Sequence, residues 1–403
     1  MNSVLVCYIP GLDRRRVTPH DTPNICALIQ RYPPVGITTF PSTELVPSLI
    51  SGIYPHEHQV WQVSIGNWRD RNLANRIVDL WPDFITTTAQ CVRQKFDSEF
   101  DLAGIPPRRR RRFRQHRFKY TRRAAEPEIM SEFDGHQTIF GLLGNEASYR
   151  FTQRFDELDV IADELLSKRL KLQFLEMYAL DLYQHWNLDQ ADGMHNALRR
   201  TDEFVATLAN ACAAAGYTFL LLSDHGQEQV KNTIPLFQTL KQTKVSNTQY
   251  TYFCELACAR FWFHSDQARE TIIPSLHKLQ NCKFLHYRDM HQFHVCFDDD
   301  RFGEYYLMAE PGAIFFPHDF YHGLANFYLG LFGHSQRNRL FNPVHRGNHG
   351  YLPQHPSEKG FLLLADDEIK LKQDYMELID FAPSILTYLG VTPPERMAGK
   401  HLF

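Results

Sequence analysis

Phe219-Leu-Leu-Leu-Ser-Asp-His-Gly226 runs four apolar residues into a carboxylate, an imidazole and a glycine. Such a run predicts a strand buried on both faces, as in a parallel sheet covered by helices. At the carboxyl end of a central strand, Asp224 and His225 point into the crevice where open α/β sheets bind ligands. An oxygen donor beside a nitrogen donor suits a divalent metal of the zinc type. The alternative is a plain strand end, where Asp224 opens a turn and His225 packs.

Upstream, Leu172–Ala179 reads as another buried strand, running into Asp181 and His185. Four residues apart, these two can close on one metal if the chain turns helically there. A helix predicted over Met194–Ala214 then delivers the chain to the 219–226 strand, a right-handed crossover that brings both Asp/His pairs to one edge. An amphipathic helix is predicted from Phe155 to Leu170. Nearer the start, Val4–Ile9 reads as a strand broken by Pro10-Gly11, and Thr22-Pro-Asn as a helix start. Gly36–Phe40 is a short strand, and Pro41-Ser-Thr-Glu44 precedes the apolar run Leu45–Ile50. That arrangement sets Ser42 and Thr43 beside the positive end of a helix, where an anion is favoured, unless one of them is simply an N-cap.

The remainder sets bounds. The length, 403 residues, fits one large α/β domain or two modest ones. A net charge of −3 with 20 His counted neutral gives no global field for nucleic acid or an anionic membrane. Eight cysteines, at 7, 26, 91, 212, 254, 258, 282 and 296, show no framework spacing and read as reduced core residues of a cytoplasmic protein. Cys254 and Cys258, four apart, are expected on one helix face. The amino terminus lacks a basic region ahead of a signal-length apolar run, and no run approaches a membrane span of about 20 residues. One island is strongly basic: Arg108–Arg112, with further bases to Arg123, interleaved with Phe113, Phe118 and Tyr120. It reads as a solvated insertion over about 104–125, or as an accessory grip on a polyanion, the one route to nucleic acid. Between Gly226 and about His345 the texture changes. Strands are predicted at Ala259–His264, Lys283–Arg288, Phe293–Phe297 and Tyr305–Glu310, with a helix at Gln267–Leu279. The expected organisation is an α/β domain of residues 1–230 and 340–403, interrupted by an α+β lobe at 235–338.

Taken in order, Thr22-Pro-Asn, Ser42 ten residues before Gly52, Tyr54-Pro-x-x-His58, Asp181-x-x-x-His185, Ser223-Asp-His-Gly226, Gly347-Asn-His-Gly350 and Asp380-x-x-Pro383 with Leu389-Gly390 resemble the alkaline phosphatase superfamily. Within it, the chain is most similar to the type I phosphodiesterase/nucleotide pyrophosphatase family. The resemblance implies a mostly parallel sheet flanked by helices. It implies one zinc-like ion on Asp181, His185 and His349 and a second on Asp224 and His225, with Mn or another divalent metal as alternatives to Zn. It implies a phosphate-ester substrate hydrolysed through a covalent phospho-Ser or phospho-Thr, with Ser42 as nucleophile and Thr43 as fallback.

Departures accompany the resemblance. Pro10 stands where the family has a metal-binding Asp, and Asp13 lies three residues beyond the expected strand end. Leu45 stands where the family has a phosphate-holding Asn; Asn67 is the substitute, or an ordinary turn residue. The second metal site is therefore depleted. Sulfatase chemistry is disfavoured, because Ser42 is followed by Thr43, Glu44, Leu45 and Val46 rather than that family's signature. Two functions remain: a metal-dependent phosphoric ester hydrolase, or a non-catalytic relative that binds a phosphorylated ligand or partner.

Overall fold

The computed structural model describes residues 2–62, 64–66, 85, 113–115, 132–133, 135–165, 167, 169–246, 248–315, 345–371 and 373–402. Asn67, and all of 104–125 except Phe113–Gln115, lie outside them. The runs read as strands become β1 (Val4–Tyr8), β2 (Val35–Thr38), β4 (Leu172–Met177) and β5 (Thr218–Ser223); β3 (Ala147–Thr152), where Ser148 and Arg150 interrupt the aromatics, is not expected from the sequence. With β10 (Lys359–Ala365) and β11 (Tyr375–Glu377) they form a seven-stranded sheet in the order β11-β2-β10-β5-β1-β4-β3. β1 pairs in parallel with β4 and β5, β3 with β4, and β2 with β11. β10 alone runs against its neighbours, antiparallel to both β5 and β2.

The core explains why these runs lack polar alternation. Val4, Val6, Leu220, Leu222, Leu362 and Leu364 enter one apolar cluster, and Leu5, Cys7, Phe219, Leu221, Phe361 and Leu363 enter the other. Successive side chains point to opposite faces, so a sheet covered twice needs apolar residues at every position. Helices α1 (Pro23–Arg31), α3 (Leu158–Leu165) and α5 (Ala191–Ala215) contribute to the second cluster, α2 (Val46–Ser51) and α7 (Phe381–Tyr388) to the first. α4 (Ala179–Asn187) follows β4 directly, which is the helical turn the Asp181/His185 spacing requires.

Strand direction decides where the loops meet. Cys7 pairs with both Leu175 and Leu221, so β4 and β5 end level at one edge of the sheet and release Asp181 and Asp224 there. The reversed β10 begins at that same edge, with Phe361 opposite Ser223. The loop leading into it, which carries His349, is thereby delivered to the site. This crossing demands glycine at 360: a Cβ there would lie 2.1 Å from the Ser223 carbonyl oxygen.

A second sheet, β6 (Tyr250–Cys254), β7 (Cys258–Phe263), β8 (Cys282–His286) and β9 (Tyr305–Ala309), is antiparallel in the order β6-β7-β9-β8. Helix α6 (Asp266–Leu276) packs Ala268, Ile272 and Leu276 into its apolar cluster. Cys254 and Cys258 close a hairpin, with Glu255 N–H on the Cys258 carbonyl at 2.7 Å, rather than sharing a helix face. Residues 293–297 do not form the expected strand. A 3-10 helix, Tyr287–Phe293, ends there with His294 at φ 58°, because the Asp289 carboxylate takes the His286 N–H at 2.8 Å and starts a helical turn. The predicted helix at 155–170 is shorter, opening with a single 3-10 turn before α3. Among the described residues no helix is long and apolar enough to cross a membrane.

Gly360→Ala should lower the unfolding free energy by about 1–3 kcal/mol or more, the usual range for overpacking against atoms that cannot retreat. Gly216→Ala meets nothing within 4 Å and loses only its left-handed φ of 71°. Its cost should be nearer 1 kcal/mol. Chemical denaturation of both variants checks the order; equal losses would contradict it.

Candidate metal centre and its hydroxyl loop

Asp181 and His185 sit on one face of α4, with His185 Nε2 3.4 Å from Asp181 Oδ2. The His185 Nδ1 faces the Gly347 carbonyl at 3.0 Å, so that nitrogen carries the proton and Nε2 presents its lone pair. His225 is arranged alike, Nδ1 on the Gly226 carbonyl at 2.9 Å. Its ring stacks on His349, centroids 3.7 Å apart and 12° from parallel. His349 Nε2 is 3.9 Å from Asp181 Oδ1. Ligand atoms of Asp181, His225 and His349 all lie within 4.8 Å of one another. This trio draws its members from both of the ligand sets that the resemblance implies. Asp224 stands beside it, 3.4 Å from His225 Nε2, and accepts the Tyr8 hydroxyl at 2.6 Å.

The electrostatics ask for a cation. Asp181 has no exposed surface, and its Oδ2 has no hydrogen-bond partner. Burial alone raises its carboxyl, but His185, His349 and His225 reverse this and hold it well below the usual carboxylate range. Yet burial and the neighbouring His225 push His349 well below the ordinary imidazole value, while burial lowers and Asp224 and Asp181 more than restore that of His225, so the stacked pair does not take two protons. Imidazoles that turn Nδ1 to a backbone carbonyl and keep the other nitrogen for a ligand, as His185 and His225 do, are the form in which histidine binds zinc-type ions. A divalent ion satisfies Asp181 where imidazolium charges would repel one another. The donor set therefore fits a metal.

Supporting contacts absent from the sequence reading hold this arrangement. Gln227 donates to Asp181 Oδ1 at 2.6 Å and to its backbone oxygen at 3.0 Å. Glu358, pushed up to about 7 by burial, accepts the Gly350 N–H at 3.0 Å and so fixes the loop after His349. The sequence reading singled out neither, although Gln227 directly follows Ser223-Asp-His-Gly226 and Glu358 also takes the Ser357 hydroxyl at 3.1 Å.

At the end of β1, Pro10 brings no donor, and the turn at Gly11 lies against Asp181: a Cβ there would be 2.8 Å from Oδ1. Asp13 does reach the site loop, since a Cβ on Gly226 would meet its carboxylate at 2.4 Å. That carboxylate is already held by Arg15, at 2.6 Å from Nη2 and 3.0 Å from Nε.

The two candidate hydroxyls differ. Ser42 is buried; its Oγ donates to the Trp61 carbonyl and accepts the Glu44 N–H at 2.9 Å, closing a turn ahead of α2. Thr43 is half-buried, and its Oγ1 donates to Gln62 Oε1 at 2.7 Å. Its methyl is the nearest atom to where a Cβ on Gly350 would sit, at 3.4 Å, which sets it beside the His349 loop. His58 anchors the segment that carries Trp61 and Gln62, with Nε2 on Ser48 Oγ at 2.7 Å and Nδ1 accepting the Val60 N–H at 3.1 Å. Residues 38–40, just before this loop, line a cleft with Tyr54, His294 and Lys359.

The sequence model of type I phosphodiesterase / nucleotide pyrophosphatase matches residues 4–267. The chain belongs to that family. Its fold is similar to that of human ectonucleotide pyrophosphatase / phosphodiesterase 5, with a TM-score of 0.63 at 16% identity over 99% of this chain and 97% of that one. It is equally similar to the murine protein of the same name, solved as an inactive variant in complex with AMP, with a TM-score of 0.62 at 15% identity over 98% and 96%. At such identities the likeness is one of fold, an alkaline-phosphatase-like α/β architecture. No curated protein matches the sequence.

Asp181→Asn and His349→Ala should each cut the divalent metal retained by this family member at least about tenfold, the lower bound for disturbing even an outer partner of a metal site. Elemental analysis after dialysis against trace Zn2+ reads it. Retention equal to wild type in both would sink the assignment.

Proposed function

We propose that this protein is a metal-dependent hydrolase of phosphate esters, working through a covalent phospho-enzyme. The observation that carries the reading is the fully buried Asp181, one oxygen unpartnered, facing three imidazoles. Asp181, His185 and His349 would hold a zinc-type ion tightly, with Asp224 and His225 alongside. Pro10 leaves the second position short of a donor, so dependence on one tightly held ion is expected. When bound, such an ion polarises a phosphoryl oxygen and lowers the pKa of a nearby hydroxyl.

The chain's own residues supply the rest. Glu358 and Gln227 keep the His349 loop and the Asp181 carboxylate from reorienting. The packing of Thr43 against Gly350 supports Thr43 over Ser42 as nucleophile. With its proton directed to Gln62 Oε1, the Thr43 oxygen keeps its lone pairs for phosphorus. Attack forms the Thr43 Oγ1–phosphorus bond and breaks the bond to the leaving alcohol, which departs with the proton Thr43 gives up; water then cleaves the Oγ1–phosphorus bond, releasing the phosphate product and restoring the hydroxyl. The free cysteines, four of the seven described ones buried, support a reducing, cytoplasmic setting. The separate four-stranded sheet supports the division into a site-bearing domain and an inserted lobe.

The test is hydrolysis of bis-p-nitrophenyl phosphate and p-nitrophenyl phosphate with Zn2+ or Mn2+. Chelation should abolish turnover and Zn2+ restore it. Thr43→Ala should lower turnover by roughly 10³-fold or more, as loss of a nucleophile does, and Ser42→Ala far less. The reverse order would return the role to Ser42. No turnover with any metal would leave the non-catalytic reading, which the missing donor at Pro10 favours.

A further inference from the structure

Away from this centre, a second set of metal-binding side chains converges where the β1–α1 connection meets α5. Asp21 Oδ1 lies 2.9 Å from His20 Nδ1 and also hydrogen-bonds His195 Nδ1, in the second turn of α5. The two imidazole rings are 4.7 Å apart. Ligand atoms of all three residues fall within 4.8 Å of one another. Around one tetrahedral ion with bonds of about 2.0–2.2 Å, ligand atoms are separated by roughly 3.3 Å, so both imidazole nitrogens draw back from Asp21 Oδ1 by a short shift to admit it.

The carboxylate is held ready. Asp21 N–H donates to Thr18 Oγ1 at 3.2 Å, and the Thr18 hydroxyl returns a bond of 3.4 Å to Asp21 Oδ2. Thr18 N–H in turn meets Thr22 Oγ1 at 2.9 Å, closing the 18–22 turn. Asp202 of α5 takes the Asn24 and Ile25 N–H groups at 3.1 and 2.8 Å, so the start of α1 is already tied to the helix that carries His195. An oriented outer partner on a ligand and a backbone fixed on both sides are what a preformed metal site needs.

We propose that His20, Asp21 and His195 form a second, solvent-open site for a zinc-type divalent ion, which fastens the β1–α1 connection to α5. Two imidazoles and a carboxylate leave at least one position to water. Binding requires each ring to carry its proton on Nε2 instead of Nδ1. The connection begins at Gly11, against Asp181, so an ion here stiffens the segment bordering the main centre without touching it.

The test is calorimetric titration with Zn2+ alone, on wild type and on the full chain carrying Asp181→Asn and His349→Ala together. The expected result is one equivalent bound by the double variant, weakened at least about tenfold when His195→Ala or His20→Ala is added. Zn2+ should also raise the melting temperature of the double variant, and not once His20 is replaced. His20 is largely exposed, so its replacement leaves the fold intact if His195→Ala does not. Binding unaffected by either histidine, or no uptake at millimolar Zn2+, would reduce the cluster to hydrogen bonds alone. Wild type and double variant taking up equal amounts would count against the main centre, while the His20 comparison would still decide this one.

Discussion

A carboxylate sealed from water at the mouth of a parallel sheet is the constraint around which the rest is arranged. An isolated charge in such a place costs several kcal/mol even after relaxation, so its neighbours must answer it. Around Asp181 one amide donor answers part of it, and the imidazole nitrogens turned the same way leave the rest to a cation. The stacking of His225 on His349 makes two protonated rings an unfavourable answer, and a divalent ion a favourable one.

Close backbone approach follows from the same constraint. Gly11 and Gly347 bring their strands and loops within a Cβ's distance of Asp181 and Gln227, and Gly360 lets β10 cross the end of β5. These positions exclude side chains because the space belongs to the site. Tyr8, buried in β1, takes up the edge of Asp224 that would otherwise be unsatisfied.

Much of this was legible along the chain. Uninterrupted apolar runs identified β1 and β5, a run broken only by Gln173 and Glu176 identified β4, and helical spacing identified α5, since these signals depend only on residues near one another. The Asp181/His185 and Asp224/His225 pairs were legible for the same reason. Phe293–Phe297 misled, because buried Val295 and Phe297 mimic strand alternation while Asp289 starts a helical turn just upstream. Cys254 and Cys258 misled because a four-residue spacing fits a helix face and a tight hairpin equally well. Gln227, Glu358 and His195 were not singled out, because the groups they meet, Asp181, the His349 loop and Asp21, come together only on folding.

The amino-acid order by itself determined the class of sheet, the sequence of its elements and the two local Asp/His pairs, since short-range periodicity and strand-end chemistry encode these. Only the tertiary structure decided that His349 joins them, because its arrival depends on β10 running opposite to every neighbour. It also decided that the Thr43 methyl packs beside the His349 loop while its hydroxyl turns to Gln62. Strand direction and side-chain orientation are set by contacts between segments hundreds of residues apart, and no local pattern records them.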